Sequence, residues 1–197
     1  MSRTTRALRL AAAVFLAGGL LALGYAAYII TEARTYQAIE LRRFERARPA
    51  TAVGSALAAQ PPLVEGGPIG EIRIPRLHLA AMVAQGDSAA ILRLAVGHLA
   101  DTALPGESGN VVLAGHRDTF FRPLKDVQVG DVITLDTRGG AFTYRVESTA
   151  VVPPSDLKVI EPTRRRTLTL ITCFPFAYIG SAPNRFIVRA HETDVPR

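Results

Sequence analysis

Cysteine, tryptophan and methionine are scarce in this 197-residue chain: one Cys, no Trp and two Met, with aromatics at only 7%. A single thiol excludes an intramolecular disulfide framework and any multi-cysteine zinc or iron–sulfur site. Stability must therefore come from a packed core, and neither a metal nor another cofactor is expected. No heptad, collagen or solenoid period recurs. The length allows one ordinary domain plus an appendage. Hydrophobic residues make up 48% and mean hydropathy is +0.19, too apolar for a disordered chain.

Charge is also scarce where a nucleic-acid binder would need it. The net charge is +6, but residues 1–48 hold eight Arg against Glu32, Glu40 and Glu45, which leaves +1 for everything that follows. Counterion release needs clustered cations on the folded part, so nucleic acid is not an expected partner.

The basic excess belongs instead to an N-terminal segment. Leu10 to Ile30 is a run of 21 residues without a formal charge. As a helix it reaches about 32 Å, against a hydrocarbon core of about 30 Å. Arg3, Arg6 and Arg9 precede it, and Tyr25 and Tyr28 lie at its exit. The positive-inside rule then keeps the N-terminus cytoplasmic and sends the rest of the chain outside, as a single-pass protein of the plasma (inner) membrane. A cleaved signal peptide and a buried soluble helix are the competing readings; the first calls for a shorter apolar core and a small-x-small site. Residues 1–30 are thus read as a cytoplasmic tail and transmembrane helix. Residues 31–68 are read as a stalk: a continuing helix to about residue 48, then an Ala/Gly/Pro-rich linker through Gln60-Pro61-Pro62 and Gly66-Gly67-Pro68.

Residues 69–197 form the expected extracytoplasmic domain, mainly β. Ile69–Ile74, Leu77–Val83, Val111–Gly115, Val132–Asp136, Phe142–Val152, Thr167–Thr172 and Arg185–Ala190 read as strands. Ala89–Val96 reads as a short helix capped by Ser88, and Gly139-Gly140 as a hairpin turn. Seven or eight short strands with one or two helices point to a closed eight-stranded barrel, with a sandwich as the alternative.

Three strands in this domain carry chemistry. Leu168-Thr169-Leu170-Ile171-Thr172-Cys173 ends in the lone thiol, just before the breaker Pro175. Val111-Val112-Leu113-Ala114-Gly115-His116 ends in an imidazole, and Arg185-Phe186-Ile187-Val188 opens on a guanidinium. A lone Cys is more often a small buried hydrophobe and a lone His a satisfied polar residue. If the three strands are neighbours, however, thiol, imidazole and guanidinium converge at one rim.

TLITC, AGHRDTFF, the preceding GHLADTALPGESGN and the RFIV strand occur in the order and approximate spacing of sortases. The resemblance runs from about Ile69 to His191 and is greatest to class D. It implies a cysteine transpeptidase, a peptide-bond hydrolase or transferase of thiol-protease type. Cys173 would be the nucleophile, His116 the general acid and base, and Arg185 the donor to the oxyanion and substrate carbonyl. It also implies an LPxT-type sorting-signal protein as acyl donor and a cell-wall or pilin amine as acceptor. His98 and Thr172 are further candidates for touching substrate, His98 being also the rival base. Arg117 and Asp118 are candidates for orienting the loop or pairing with each other.

An ordinary cysteine with a pKa near 8.5 is only about 3% thiolate at pH 7, so a nearby cation and a proton-shuttling histidine serve its chemistry. Two other readings remain at this level. A cysteine L,D-transpeptidase would place its His just ahead of a Gly-Cys pair, whereas Cys173 follows Thr172. A non-catalytic, membrane-tethered β-domain for envelope adhesion or assembly would keep the thiol in the core.

Overall fold

A computed structural model describes residues 3–47, 64–177 and 180–193; most of the linker expected at 49–68 lies outside them. The chain divides into two compact units, Met1–Tyr36 and Gln37–Arg197, and the division falls within one helix. That helix, α1, runs unbroken over Arg3–Ala47. In the first unit it is long and apolar enough to cross a membrane, with its apolar window unburied and Leu16, Leu21 and Phe15 exposed. Thr31 and Thr35 each return their hydroxyl to the carbonyl four residues back, Ala27 and Thr31, at 2.7 Å. Their polar atoms are thereby satisfied within the helix.

The second unit is a closed barrel. Its strands are β1 (Pro68–Ile74), β2 (Leu79–Gln85), β3 (Val96–His98), β4 (Asn110–Ala114), β5 (Val132–Thr137), β6 (Gly140–Val152), β7 (Thr167–Phe174) and β8 (Asn184–Glu192), with a short helix α2 (Ala89–Leu94) between β2 and β3. The order around the barrel is β1-β2-β3-β4-β7-β8-β6-β5. Closure leaves no edge strand, and the sandwich alternative is set aside. The β2–β3 and β4–β7 pairs are parallel; the remaining pairs are antiparallel.

Alternation builds the core. Ile72 and Ile74, Val111 and Leu113, Ile133 and Leu135, Leu168 and Leu170, and Val188 and Ala190 sit two apart on their strands and are almost wholly buried. The β5–β6 hairpin turns at Arg138-Gly139, where Gly140 takes a φ of 138°, a backbone state that side-chain-bearing residues avoid. Thr137 closes the turn: its hydroxyl donates to the Gly140 carbonyl at 3.0 Å and accepts from the Gly139 amide at 3.1 Å.

Three local expectations change. The second strand begins at Leu79 rather than Leu77, because Pro75–Leu77 forms a 3-10 turn that ends at His78 in the left-handed region (φ 50°). The helix stops at Leu94, with Ala95 already extended, and Val96 opens β3 instead of ending the helix. Ser88 stands at the cap position, but its side chain makes no capping bond.

The barrel unit starts well before Ile69. Gln37 on α1 donates from its amide nitrogen to the Leu94 carbonyl at 2.6 Å and accepts from the Met82 amide at 2.7 Å. It thus satisfies an orphan carbonyl at the end of α2 and an amide of β2. One and two turns further on, Glu40 and Phe44 are buried as well. The last part of α1 therefore belongs structurally to the barrel. In protein comprising residues 37–197, Phe44→Ala is expected to cost about 3 kcal/mol by urea unfolding, as for other large-to-small changes of a buried ring. An unchanged midpoint would show that the helix end adds nothing to the barrel.

Candidate active site

The site is set by the strand order β4-β7-β8. In the antiparallel β7–β8 pair, Cys173 and Arg185 are direct partners. Opposed residues share a face, with Cβ atoms about 4.5–5.5 Å apart. On the other side β4 runs parallel to β7, with Ala114 beside Ile171 and the Gly115 amide donating to the Ile171 carbonyl at 3.1 Å. Two residues beyond that pair on each chain come His116 and Cys173. The structure therefore brings the three residues named from the strand ends to one level of one sheet.

They also face outward. Leu168 and Leu170 point into the barrel, so Thr169, Ile171 and Cys173 point out; likewise Val188 and Ala190 point in while Arg185, Ile187 and Arg189 point out. Cys173 is a free thiol, partly accessible, and His116 is exposed. Arg185 is half-buried, with Nη1 donating to the Asn184 carbonyl at 3.1 Å and the Ala182 carbonyl at 3.4 Å. Beside this rim Phe174 and Phe186 stack and both meet Phe176 edge-on, with centroid distances of 5.3–6.2 Å, and Phe176 and Phe186 pack against the core.

The position of His116 follows from the residues around it. A Cβ on Gly115 would lie 2.8 Å from the ring of fully buried Phe121, so only glycine lets that ring close under the turn. The amides of Thr119 and Phe121 return to the His116 carbonyl at 3.3 and 3.1 Å. Thr172 is 2% exposed and its hydroxyl donates to the Gly115 carbonyl at 2.7 Å. This joins the residue before the thiol to the residue before the imidazole. Thr172 is thus a tie between strands, and its hydroxyl is already engaged.

His98 departs from its expected place. It is 0% exposed inside β3, with Nε2 2.9 Å from the Ala103 carbonyl and Nδ1 2.9 Å from the Gln85 side-chain amide. Burial leaves it no surface for a substrate, and its ring holds the 99–104 loop to the barrel. Desolvation pushes its pKa below the ordinary histidine value. Arg117, expected only to orient a loop or pair with Asp118, is buried and reaches two carbonyls of the β7–β8 connection. Its Nε lies 3.5 Å from Asp118. The sequence signal was its place beside His116; its burial had no signature.

The outer face below the rim is roofed by the β6–β7 connection. Asn110 donates to the Val159 and Glu161 carbonyls at 3.1 Å and accepts from the Thr169 hydroxyl at 2.7 Å. Beside this roof lies a hollow of about 180 Å³, with Ile187, Ala150 and Val159 among its walls and Lys158 and Arg189 at its margin. Ile187 is two residues along β8 from Arg185, about 7 Å from the thiol's level. Among the described residues no group of His, Cys, Asp and Glu is arranged to hold a metal ion.

A closed barrel with thiol, imidazole and guanidinium at one rim carries the groups that cysteine acyl transfer uses. A family model described as the sortase domain matches residues 72–193, and the chain belongs to the sortase family of cysteine transpeptidases. It is 32% identical to Sortase D of Bacillus subtilis (strain 168) over 183 residues, 88% of this chain and 92% of that protein. Among solved structures it is similar to a Clostridium perfringens Sortase D5 transpeptidase, with TM-score 0.61 and 32% identity over 66% of this chain and 82% of that one. It is also similar to sortase E from Streptomyces avermitilis, with TM-score 0.56 and 34% identity over 66% and 91%. The expected likeness to class D is matched, and the non-catalytic and L,D-transpeptidase readings are set aside.

The buried His98 carries a pH signature. Above about pH 6.5 its ring is neutral in folded and unfolded chains alike. Below that, the unfolded chain takes up a proton that the buried ring resists, so stability should fall as pH falls through this range. Asp131 acts in a different window. Its carboxyl is held below the ordinary value by hydrogen bonding to Arg76, so that contribution is lost only below about pH 4. Denaturant unfolding of wild type and His98→Gln between pH 7 and 4.5 should show a flatter profile for the variant. Parallel profiles would remove His98 as the source.

Proposed function

We propose that this sortase cleaves an LPxT-type sorting signal through a thioester on Cys173 and transfers the acyl group to an amine of the cell envelope or of a pilin. The observation that carries this reading is the register of β7, with Arg185 paired to Cys173 on one side and the His116 strand end parallel to it on the other. In the reaction the Cys173 thiolate attacks the scissile carbonyl carbon, and the carbonyl electron pair becomes an oxyanion. Arg185 donates N–H groups from a fixed, permanently charged fork to that oxygen. His116, as imidazolium, gives its proton to the leaving amine when the C–N bond breaks, which leaves the thioester. The acceptor amine then attacks the thioester, neutral His116 takes its proton, and the thiolate departs. Transfer prevails over hydrolysis when the amine outcompetes water. Transfer rather than simple hydrolysis is supported by the likeness to a structure described as a Sortase D5 transpeptidase.

Exchange of Arg185 tests the donor separately from the nucleophile. Cys173→Ala is expected to abolish the acyl adduct seen by mass spectrometry with a sorting-signal peptide. Arg185→Lys is expected to lose on the order of a hundredfold in kcat/KM, because a mobile ammonium does not reproduce two parallel N–H groups. Arg189→Lys lies four residues along β8 on the same face and should keep near wild-type turnover. An adduct on the alanine variant, or equal losses in the two lysine variants, would overturn these roles.

The same reading places the barrel outside the cytoplasm, on a single-pass anchor in the plasma membrane. Support comes from the apolar part of α1 and the three arginines ahead of it. A reporter fused after Arg197 should be active only on the extracytoplasmic side, and cytoplasmic activity would reverse the topology.

A further inference from the structure

Arg117 follows His116 directly, and it is buried at 6% exposure although it carries a permanent charge. Its guanidinium bridges two points of one loop. Nη1 donates to the Pro175 carbonyl at 3.0 Å and Nη2 to the Gly180 carbonyl at 3.0 Å. Both carbonyls belong to the β7–β8 connection, which leaves the barrel just after Cys173 and returns to it just before Arg185. One side chain therefore links the turn that carries the imidazole to the segment that joins the thiol strand to the guanidinium strand. Asp118, at 64% side-chain exposure and 3.5 Å, is a weak solvated partner and does not account for the burial. A buried cation is tolerated only where its N–H groups meet acceptors, and a planar fork suits two separate carbonyls as an ammonium does not.

We infer that Arg117 is a positioning residue for the acyl transfer: it holds the β7–β8 connection against the His116 turn and so fixes imidazole, thiol and Arg185 in one geometry. The inference rests on the roles given above to Cys173, His116 and Arg185. Below the rim, the Thr172 hydroxyl already joins β7 to the Gly115 carbonyl. That bond fixes the strands and leaves the loops beyond them to Arg117. Small displacements matter at such a site, since a shift of about 1 Å in a reacting group can cost a hundredfold in rate.

The test uses the full chain in detergent micelles, with Arg117→Gln and Arg117→Lys made in wild-type and His116→Ala backgrounds. Turnover of an LPxT peptide gives kcat and KM, and iodoacetamide labelling of Cys173 gives a readout that needs no sorting signal. Arg117→Gln is expected to lower kcat on the order of a hundredfold with a much smaller change in KM, and to slow labelling. Arg117→Lys, which reaches one carbonyl, should recover part of both. In the His116→Ala background neither substitution should slow labelling much further, because labelling reads the thiolate that the placed imidazole supports and not the aim of Arg185. If the Gln variant does not fold, the kcat of the Lys variant and its non-additivity with His116→Ala decide alone. Wild-type kcat in the Lys variant, or labelling losses that multiply in the double variants, would overturn the inference. Slowed labelling in a chain whose wild type does not turn over the peptide would sink the sorting-signal reading and leave the role of Arg117 standing.

Discussion

The structure depends most on the pairing of β7 with two neighbours of opposite sense. A strand that ran antiparallel to both would place Cys173 beside the start of β4, at the far end of the barrel from His116. Because β4 and β7 run parallel, both strands end at the same rim, and the antiparallel β8 begins there. Side chains from two consecutive strands and from the end of a third, β4, distant in sequence, are thereby brought to one level without any being buried in the core. The alternation of strand faces then sends all three outward. A slip of one residue in β7 would turn Cys173 into the barrel, so the buried Leu168 and Leu170 protect the chemistry as well as the core.

Parallel strands need a crossover, and here the crossover shapes the site. The segment between β6 and β7 passes over the outer face and is received there by Asn110, whose amide donates to two of its carbonyls while the Thr169 hydroxyl donates to its oxygen. Polar residues on a strand face normally signal solvent. These are buried because the crossover needs partners for its own backbone. The hollow near Ile187 adjoins this covered zone, on the same outward face of β8 as Arg185.

Much of this was legible in residue order. Alternation and turn residues predict seven of the eight strands, and the closed barrel follows from their number and the economy of removing edges. The three residues at the strand ends are likewise visible, since apolar runs that stop at Cys173 and His116, or start at Arg185, place those groups at mouths. β3 was not legible, because Val96–His98 is three residues long and continues the apolar pattern of the helix before it. The start of the barrel unit was obscured by the linker composition. Gln37 lies in the segment read as a stalk, and nothing local announces that it meets β2 and the end of α2. His98 and Thr172 looked available to a substrate because polarity in sequence does not reveal which hydrogen bonds are already made. Arg117 illustrates the converse, since an arginine beside Asp118 reads as its partner or as a loop-orienting group until the carbonyls it serves are known.

Arg185 shows what the resting site holds in reserve. Among the described residues its recorded bonds run from Nη1 alone, to carbonyls of its own approach at 3.1 and 3.4 Å. The second of these is long and both are partly exposed, so under the proposed role a developing oxyanion would compete with them favourably. Lysine in that position would have no plane to keep its donors aimed at the thiol while one of them stays tethered. A guanidinium has five N–H groups in fixed directions, so it can remain anchored through one edge and present another. The loop bonds of Arg185 are therefore compatible with the oxyanion role proposed for it, since among the described residues they hold the fork through Nη1 alone.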